Sequence, residues 1–254
     1  MKVLISPAKS IDTNRPIVTP TPTVGQFLND SEFLVSVLKK LTSEELQKLM
    51  HVSADIADLN VERNHNWVQP VAPSEIVCPA IVAFTGEVYR GLDVATFSDA
   101  DFLKAQGTIR ILSGLYGILR PLDLIYPYRL EMGTKLAIDA KTKSLYKYWG
   151  TRLSEALQNE LTEGEIVVNL ASTEYSKSLP FKELRNEVIT PTFKDFKNGQ
   201  LKVVSVYAKH ARGEMARWIA LEQIQTADEL KLWNGMGYQY DDNLSSETEY
   251  VFTR

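Results

Sequence analysis

The sequence predicts a mixed α/β fold in a single domain, with a central mixed sheet flanked by helices. Short apolar runs typical of buried strands occur at residues 3–5, 109–112, 166–170 and 203–207, with 81–84 as a further candidate. Segments with helical features lie between these runs, which favours a mixed α/β plan over an all-α or all-β one. No Pro/Gly-rich linker interrupts the chain, so we expect one domain over residues 1–254.

Several predicted helices begin at residues that can cap them. Thr42 opens a capping-box sequence, which predicts a helix that runs to about Met50. Ser53 can cap a further helix, and Ser98 can cap another that ends near Gly107.

Other segments are assigned by spacing or composition. Residues 146–161 and 213–225 carry the apolar spacing of helices. Residues 12–24 are rich in Pro and Thr, which predicts an extended excursion over the surface. The run at 250–252 predicts a late edge strand.

The composition is that of an ordinary globular protein, with 44% hydrophobic and 24% charged residues. The single cysteine, Cys78, lies in an apolar run, which favours a small buried hydrophobe over a redox centre. The first apolar stretch is too short for a signal peptide, and no run approaches the roughly 18 residues of a membrane helix. We therefore expect a cytoplasmic protein with no membrane partner.

The net charge of −4 argues against a nucleic-acid partner, but its distribution does not. Residues 228–254 contain six acids and two bases, so this tail accounts for the whole net charge. Residues 202–217 contain four bases and only one acid, Glu214. A local basic surface is compatible with these numbers, and a polyanion responds to the local potential.

Small, hydroxyl or basic side chains follow each of the four predicted strands. The residues in question are Ser6 and Lys9, Arg120, Lys177, and Lys209 with Arg212. If the strands are parallel, their carboxyl ends share one edge of the sheet, where ligands bind in open α/β folds. Such an edge suits phosphate. Turns after strands are also polar for purely structural reasons, and none of these loops matches a P-loop or dinucleotide fingerprint.

The segment 120–132 is rich in Arg, Tyr and Pro, as recognition loops for nucleic acid often are. The alternative is a loop locked by ion pairs, with Arg120 bound to Asp123 and Arg129 bound to Glu131.

A hairpin candidate occurs at Asp58, Leu59 and Asn60. The hairpin of helix-hairpin-helix DNA-binding units follows the pattern apolar, spacer, Gly, apolar, Gly. Here Asp58 and Asn60 take the glycine positions, and both residue types tolerate the left-handed conformation. The alternative is an ordinary pair of core helices. Residues 112–117 form a second candidate, with one residue too many and after a strand.

We expect no metal and no cofactor. The histidines, His51, His65 and His210, are far apart in the sequence, and none pairs with a cysteine at ligand spacing. No nucleophile-elbow pattern surrounds any serine.

Taken together, these segments resemble one family along the length of the chain. The matching motifs are Ile5-Ser6-Pro7-Ala8-Lys9, Phe84-Thr85-Gly86-Glu87-Val88-Tyr89, Leu112-Ser113-Gly114-Leu115-Tyr116-Gly117, Arg120-Pro121-Leu122-Asp123, Pro127-Tyr128-Arg129-Leu130-Glu131-Met132-Gly133, Asn169-Leu170-Ala171-Ser172 and Tyr207-Ala208-Lys209-x-Ala211-Arg212-Gly213. They look like those of the peroxide stress protein YaaA family. The resemblance implies hydrogen-peroxide resistance, limitation of unincorporated iron, a positively charged cleft, a helix-hairpin-helix element and binding to double-stranded DNA.

Three functions remain open from the sequence. The first is a DNA-binding stress protein without catalysis, which holds phosphates with Lys9, Arg120, Arg129, Lys209 and Arg212. The second is a lyase- or glycosidase-like enzyme acting on nucleic acid or a nucleotide, for which the candidate groups are Lys9, Asp123, Tyr128 and Glu131. The third is a small-nucleotide sensor that uses the same cleft.

Overall fold

The computed structural model describes residues 1–254 and contains twelve strands and eleven α-helices. The strands are β1 (Lys2–Ile5), β2 (Ser10–Ile11), β3 (Cys78–Pro79), β4 (Phe84–Thr85), β5 (Ile109–Ser113), β6 (Gly117–Leu119), β7 (Leu124–Ile125), β8 (Val167–Asn169), β9 (Val188–Lys197), β10 (Gln200–Lys202), β11 (Gln239–Tyr240) and β12 (Glu249–Thr253). The helices are α1 (Leu28–Leu38), α2 (Ser43–Met50), α3 (Ala54–Asn66), α4 (Ala80–Ala83), α5 (Glu87–Leu92), α6 (Asp99–Thr108), α7 (Leu145–Trp149), α8 (Arg152–Gln158), α9 (Thr173–Ser176), α10 (Ser205–Leu221) and α11 (Ala227–Leu230).

Eight strands form one mixed sheet, which confirms the predicted α/β class. Its order is β11-β12-β9-β8-β1-β5-β6, with β10 paired to β9. The five strands β12, β9, β8, β1 and β5 are parallel to their neighbours, whereas β6, β10 and β11 are antiparallel. The carboxyl ends of β5, β1 and β8 therefore lie at the same edge of the sheet.

The central strands form at largely apolar runs, although β5 includes the buried Arg110, which pairs with Glu160. Residues 3–5 of β1 are fully buried, as are residues of β5 and β8 beside it. Strands covered on both faces are expected to read as unbroken apolar runs. A hydrophobic cluster of 65 buried residues surrounds them, so the sheet lies inside the core.

The capping predictions are confirmed for two helices. In α2, the Thr42 hydroxyl accepts a hydrogen bond from the Glu45 amide, and the Glu45 carboxylate accepts one from the Thr42 amide. Ser98 and Asp101 make the same reciprocal pair at the start of α6. These contacts satisfy amides that have no partner inside the helix.

Three assignments were wrong in part. Residues 203–207 are not a strand, because α10 begins at Ser205, and Val203, Val206 and Tyr207 are exposed rather than buried. Residues 81–84 fall mainly in α4, with only Phe84 in a strand. The late strand β12 is confirmed, but it lies between β9 and β11 and not at the edge.

One predicted helix is divided in two. Gly150 has φ = 54° and ends α7, so residues 146–161 form α7 and α8. A left-handed residue cannot continue a right-handed helix, and glycine adopts it at low cost. No helix of the structure combines the length and the apolar character needed to cross a lipid bilayer.

Helices α5 and α10 cross in close contact through two glycines. A Cβ atom on Gly213 would lie 1.9 Å from the Val88 carbonyl oxygen, and one on Gly91 would lie 2.2 Å from the His210 carbonyl oxygen. Both distances are far below van der Waals contact, so only glycine permits this approach. The crossing fixes the position of α10 relative to the start of α5.

We predict that Gly213→Ala lowers the free energy of unfolding by about 1–3 kcal/mol, because the added methyl group must push two backbones apart. Chemical denaturation measures the change. Gly107→Ala is the matched control: Gly107 also lies in a helix, but an added Cβ meets no atom within 4 Å. It should be neutral or stabilise by up to about 1 kcal/mol. Equal stability of the two variants would contradict the proposed role of the crossing.

Candidate functional site

A cleft of about 510 Å³ opens at the edge of the sheet where β1 and β8 end. Four segments line it: residues 6–10 after β1, residues 170–175 after β8, the start of α5, and one face of α10. The parallel pairing of β1 with β8 brings the first two together. This is the position that the sequence predicted for a ligand site.

Ser6 and Ser172 join the two strand ends at the floor of the cleft. The Ser6 hydroxyl accepts a hydrogen bond from the Ser172 amide at 2.9 Å, and the two hydroxyl oxygens are 3.2 Å apart. The Tyr89 hydroxyl donates to the Ser6 carbonyl oxygen at 3.1 Å, which ties α5 to the same point. The floor is therefore held by side chains from three elements.

Charges of both signs line the cleft. Three cations, Lys9, Lys209 and Arg212, face it together with two carboxylates, Glu87 and Glu174. The lining is thus only weakly positive. The cleft carries charges of both signs, whereas the sequence predicted a basic cleft.

Some of these charges are already used within the protein. Lys9 Nζ lies 2.8 Å from Glu131 Oε2, and Arg129 Nη2 lies 3.0 Å from Glu131 Oε1. The Gly133 amide donates to Glu174 Oε1 at 2.9 Å. Lys9 therefore lines the cleft but is bound to Glu131 in an ion pair. Its ammonium group would have to break this contact before it could act as a nucleophile.

Lys209 and Arg212 differ from Lys9 because neither takes part in an ion pair. They are three residues apart in α10, so their side chains lie on one face of the helix. The Arg212 Nε atom is buried and has no hydrogen-bond partner in the protein. Burial lowers the pKa of the Arg212 guanidinium, and no charged neighbour opposes that shift. Arginine nevertheless stays protonated in proteins.

Arg120 does not lie at this edge, so the expectation that it shares the cleft was wrong. It follows β6, which runs antiparallel to β5, and the chain therefore returns to the amino end of β5 before it reaches Arg120. There Arg120 Nη2 lies 2.8 Å from Asp123 Oδ1, and Asp123 is only 2% exposed. Asp123 also accepts from the Thr23 hydroxyl at 2.6 Å. Both residues lock the loop, and Asp123 is not among the cleft residues.

The remaining predicted residues are not part of the cleft lining. Arg129 and Glu131 form an ion pair, as the alternative of a loop locked by ion pairs predicts. Their link to the cleft is the contact between Glu131 and Lys9. Lys177 is exposed at the end of α9 and is not part of the lining. Tyr128 is buried, and its hydroxyl lies 2.6 Å from the Ser113 hydroxyl.

The hairpin proposed at Asp58, Leu59 and Asn60 was wrong. All three residues lie inside the continuous helix α3, where the buried Asn60 side chain donates to the Ile56 carbonyl oxygen at 2.7 Å. The second candidate, 112–117, comprises the end of β5, the turn at 114–116 and the first residue of β6. Asp and Asn tolerate a left-handed conformation but do not impose one.

A helical hairpin does occur seven residues earlier, between α2 and α3. The turn is formed by His51, Val52 and Ser53, and His51 is left-handed with φ = 52°. Residues 49–53 match the helix-hairpin-helix pattern of apolar, spacer, Gly, apolar, Gly, except that His51 and Ser53 replace the two glycines. Sequence reasoning missed this turn because neither residue is a glycine, although the sequence predicts one helix that ends near Met50 and another that begins at Ser53.

The α2–α3 hairpin borders the cleft. A second hollow, of about 370 Å³, is lined by His51 and Lys48 of the hairpin together with Glu131 and Glu174. Glu174 also lines the cleft, so the two hollows share a wall. No group of three or more His, Cys, Asp or Glu side chains is placed to hold a metal ion.

Comparison with known proteins places this chain in a family. The family described as "Peroxide stress protein YaaA" matches residues 1–244. The chain belongs to the YaaA family. A UPF0246 protein of Shewanella sp. (strain ANA-3) is 47% identical over 256 residues, which cover 100% of this chain and 99% of that protein. A UPF0246 protein of Cellvibrio japonicus (strain Ueda107) is 46% identical, with 99% of this chain and 97% of that protein covered.

The YaaA-like motifs fall into two structural groups. Those around Ser6, Glu87, Ser172 and Arg212 supply the cleft. The motif that contains Ser113 is internal, because its hydroxyl accepts hydrogen bonds from the amides of Leu115 and Tyr116 and touches Tyr128. Glu87, Glu174, Tyr89 and Tyr175 were absent from the predicted site, although the motifs already contained two of them.

Cys78 is half-buried in a two-stranded ladder. Burial raises the pKa of its thiol to about 11. The thiol is therefore protonated at neutral pH, and a protonated thiol reacts poorly with peroxide. This agrees with the expectation that Cys78 is a structural residue.

Proposed function

We propose that this YaaA-family protein binds double-stranded DNA in the cytoplasm during peroxide stress, with the cleft and the α2–α3 hairpin as its contact surface. The observation that carries the proposal is the pair Lys209 and Arg212. Both cations face the cleft, and neither forms an ion pair with a carboxylate of the protein. Phosphate oxygens would supply acceptors that the protein does not provide.

The α2–α3 hairpin supports the same proposal. Ser53 caps α3 without making a side-chain hydrogen bond, and the first amides of a helix have no partner inside it. Ser53 and the first residues of α3 are exposed. Backbone amides of this kind bind phosphate without reading the base sequence. The hairpin and the cleft would therefore contact neighbouring phosphates of one duplex.

We predict that Lys209→Gln weakens binding to a fully paired duplex several-fold at low salt. It should also reduce the slope of log K against log salt by about 1, since one phosphate contact is lost. Fluorescence anisotropy over a salt series gives both quantities. Lys177→Gln is the matched control, because Lys177 is exposed and lies outside the cleft lining. A salt-independent wild-type affinity would contradict the proposal.

We predict that Ser53→Asp lowers duplex affinity several-fold without lowering the melting temperature. Asp caps helices about as well as Ser, but its charge repels a phosphate at this turn. Thr42→Asp is the control, because Thr42 caps α2 at the end remote from the turn. If Ser53→Asp binds duplex as tightly as Thr42→Asp, the hairpin takes no part in binding.

We propose that the effect on unincorporated iron is indirect and follows from protection of DNA. The side chains form no cluster of metal ligands that would sequester iron. Anaerobic calorimetry with ferrous ion should therefore give no tight, stoichiometric binding at neutral pH. A saturable site of one ferrous ion per chain, in the presence of competing buffer ligands, would contradict indirect action.

A further inference from the structure

The lining of the cleft suits a ligand that carries both an anion and hydrogen-bond donors. Arg212 and Lys209 offer positive charge without a protein partner. Glu174 faces the same space, and only its Oε1 atom accepts a hydrogen bond from the Gly133 amide. A bare oxyanion would be repelled by such a carboxylate, whereas a ligand with hydroxyl or amino groups would donate to it.

The size of the cleft also restricts the ligand. Its volume of about 510 Å³ falls within the roughly 300–1,000 Å³ typical of small-molecule pockets. The floor is closed by the joined strand ends at Ser6 and Ser172 and by the buried rings of Tyr89 and Tyr175. Because the floor is closed, a continuous duplex cannot pass through the cleft. One nucleotide of a strand, or a free small molecule, can still enter it.

The elements of the lining therefore match the parts of one nucleotide. Planar, forked arginine is suited to phosphate oxygens, and Lys209 on the same helix face adds a second charge. The Glu174 carboxylate accepts from sugar hydroxyls or from an exocyclic amino group. The apolar surface of Pro7, Leu170 and the tyrosines suits a sugar or base.

We propose that the cleft is a pocket for a single nucleotide unit, with its phosphate at Arg212 and Lys209 and its donor groups at Glu174. This inference rests on the proposed DNA binding and refines it: the backbone of paired DNA contacts the hairpin and the exposed Lys209 at the rim, and only an unpaired or free nucleotide reaches the less exposed Arg212. The same unit occurs as a free mononucleotide and as an extrahelical nucleotide within DNA. Removing a nucleotide from the stack costs least where it is already unpaired.

The test begins with AMP and inorganic phosphate titrated separately into the full-length protein by calorimetry. We expect one AMP site per chain, with affinity at least tenfold above that for phosphate. Arg212→Gln should weaken AMP binding at least tenfold, as the loss of a charge-assisted hydrogen bond predicts. Equal affinity for AMP and phosphate would overturn the proposal, and so would the absence of AMP binding at millimolar concentration.

Two further variants separate loss of contact from loss of folding. Arg212→Lys keeps the charge but loses the planar fork, so it should bind AMP more weakly while it melts near the wild-type temperature. Lys177→Gln, outside the lining, should bind AMP as the wild type does. Unchanged AMP affinity in both Arg212 variants would overturn the assignment of the phosphate to Arg212.

Competition then identifies the source of the nucleotide. A duplex with one unpaired nucleotide that displaces AMP at a concentration at least tenfold below that of the fully paired duplex assigns the pocket to DNA. Displacement by neither duplex assigns it to a free nucleotide. Equal displacement of AMP by the two duplexes overturns the proposal of a single unit. Anisotropy of the paired duplex in the same samples tests the DNA-binding function separately, since that binding can persist when AMP does not bind.

Discussion

The close crossing of α5 and α10 is the contact on which the cleft depends. Because Gly91 and Gly213 carry no side chains, the two helices approach until backbone atoms touch. Arg212 directly precedes Gly213 in α10, so the crossing sets the depth at which its guanidinium is held. The start of α5 forms the facing wall, and Tyr89 ties that wall to the end of β1. One steric constraint therefore positions the cations against the strand ends.

Much of the fold could be predicted where a local signal decides the structure. The capping boxes at Thr42 and Ser98 depend on residues three apart, and both helices begin where expected. The central strands are buried and largely apolar, with Arg110 of β5 as a buried exception that pairs with Glu160. The failure at 203–207 has the opposite cause: most of its apolar side chains are exposed, on the first turn of α10 and just before it. A short apolar run in the sequence does not by itself show whether other parts of the protein bury it.

The site was predicted less well, because it depends on contacts between distant parts of the chain. Arg120 follows a strand, as Lys9 does, but the reversed direction of β6 carries it to the opposite edge. Lys9 is paired with Glu131, which lies more than a hundred residues away in sequence, and no spacing rule identifies such a partner. Which bases remain unpaired is a tertiary property. Lys209 and Arg212 do line the cleft, but their lack of carboxylate partners became visible only in the fold.

The most direct test of this account is a crystal structure of the protein with a short DNA duplex that carries one unpaired nucleotide. We predict a phosphate oxygen at about 2.7–2.9 Å from a guanidinium nitrogen of Arg212, the distance of a charge-assisted hydrogen bond. We also predict duplex backbone along the α2–α3 hairpin. DNA bound on another face, with Arg212 and Lys209 making no contact to phosphate, would contradict the central claim that these unpaired cations form the nucleic-acid site.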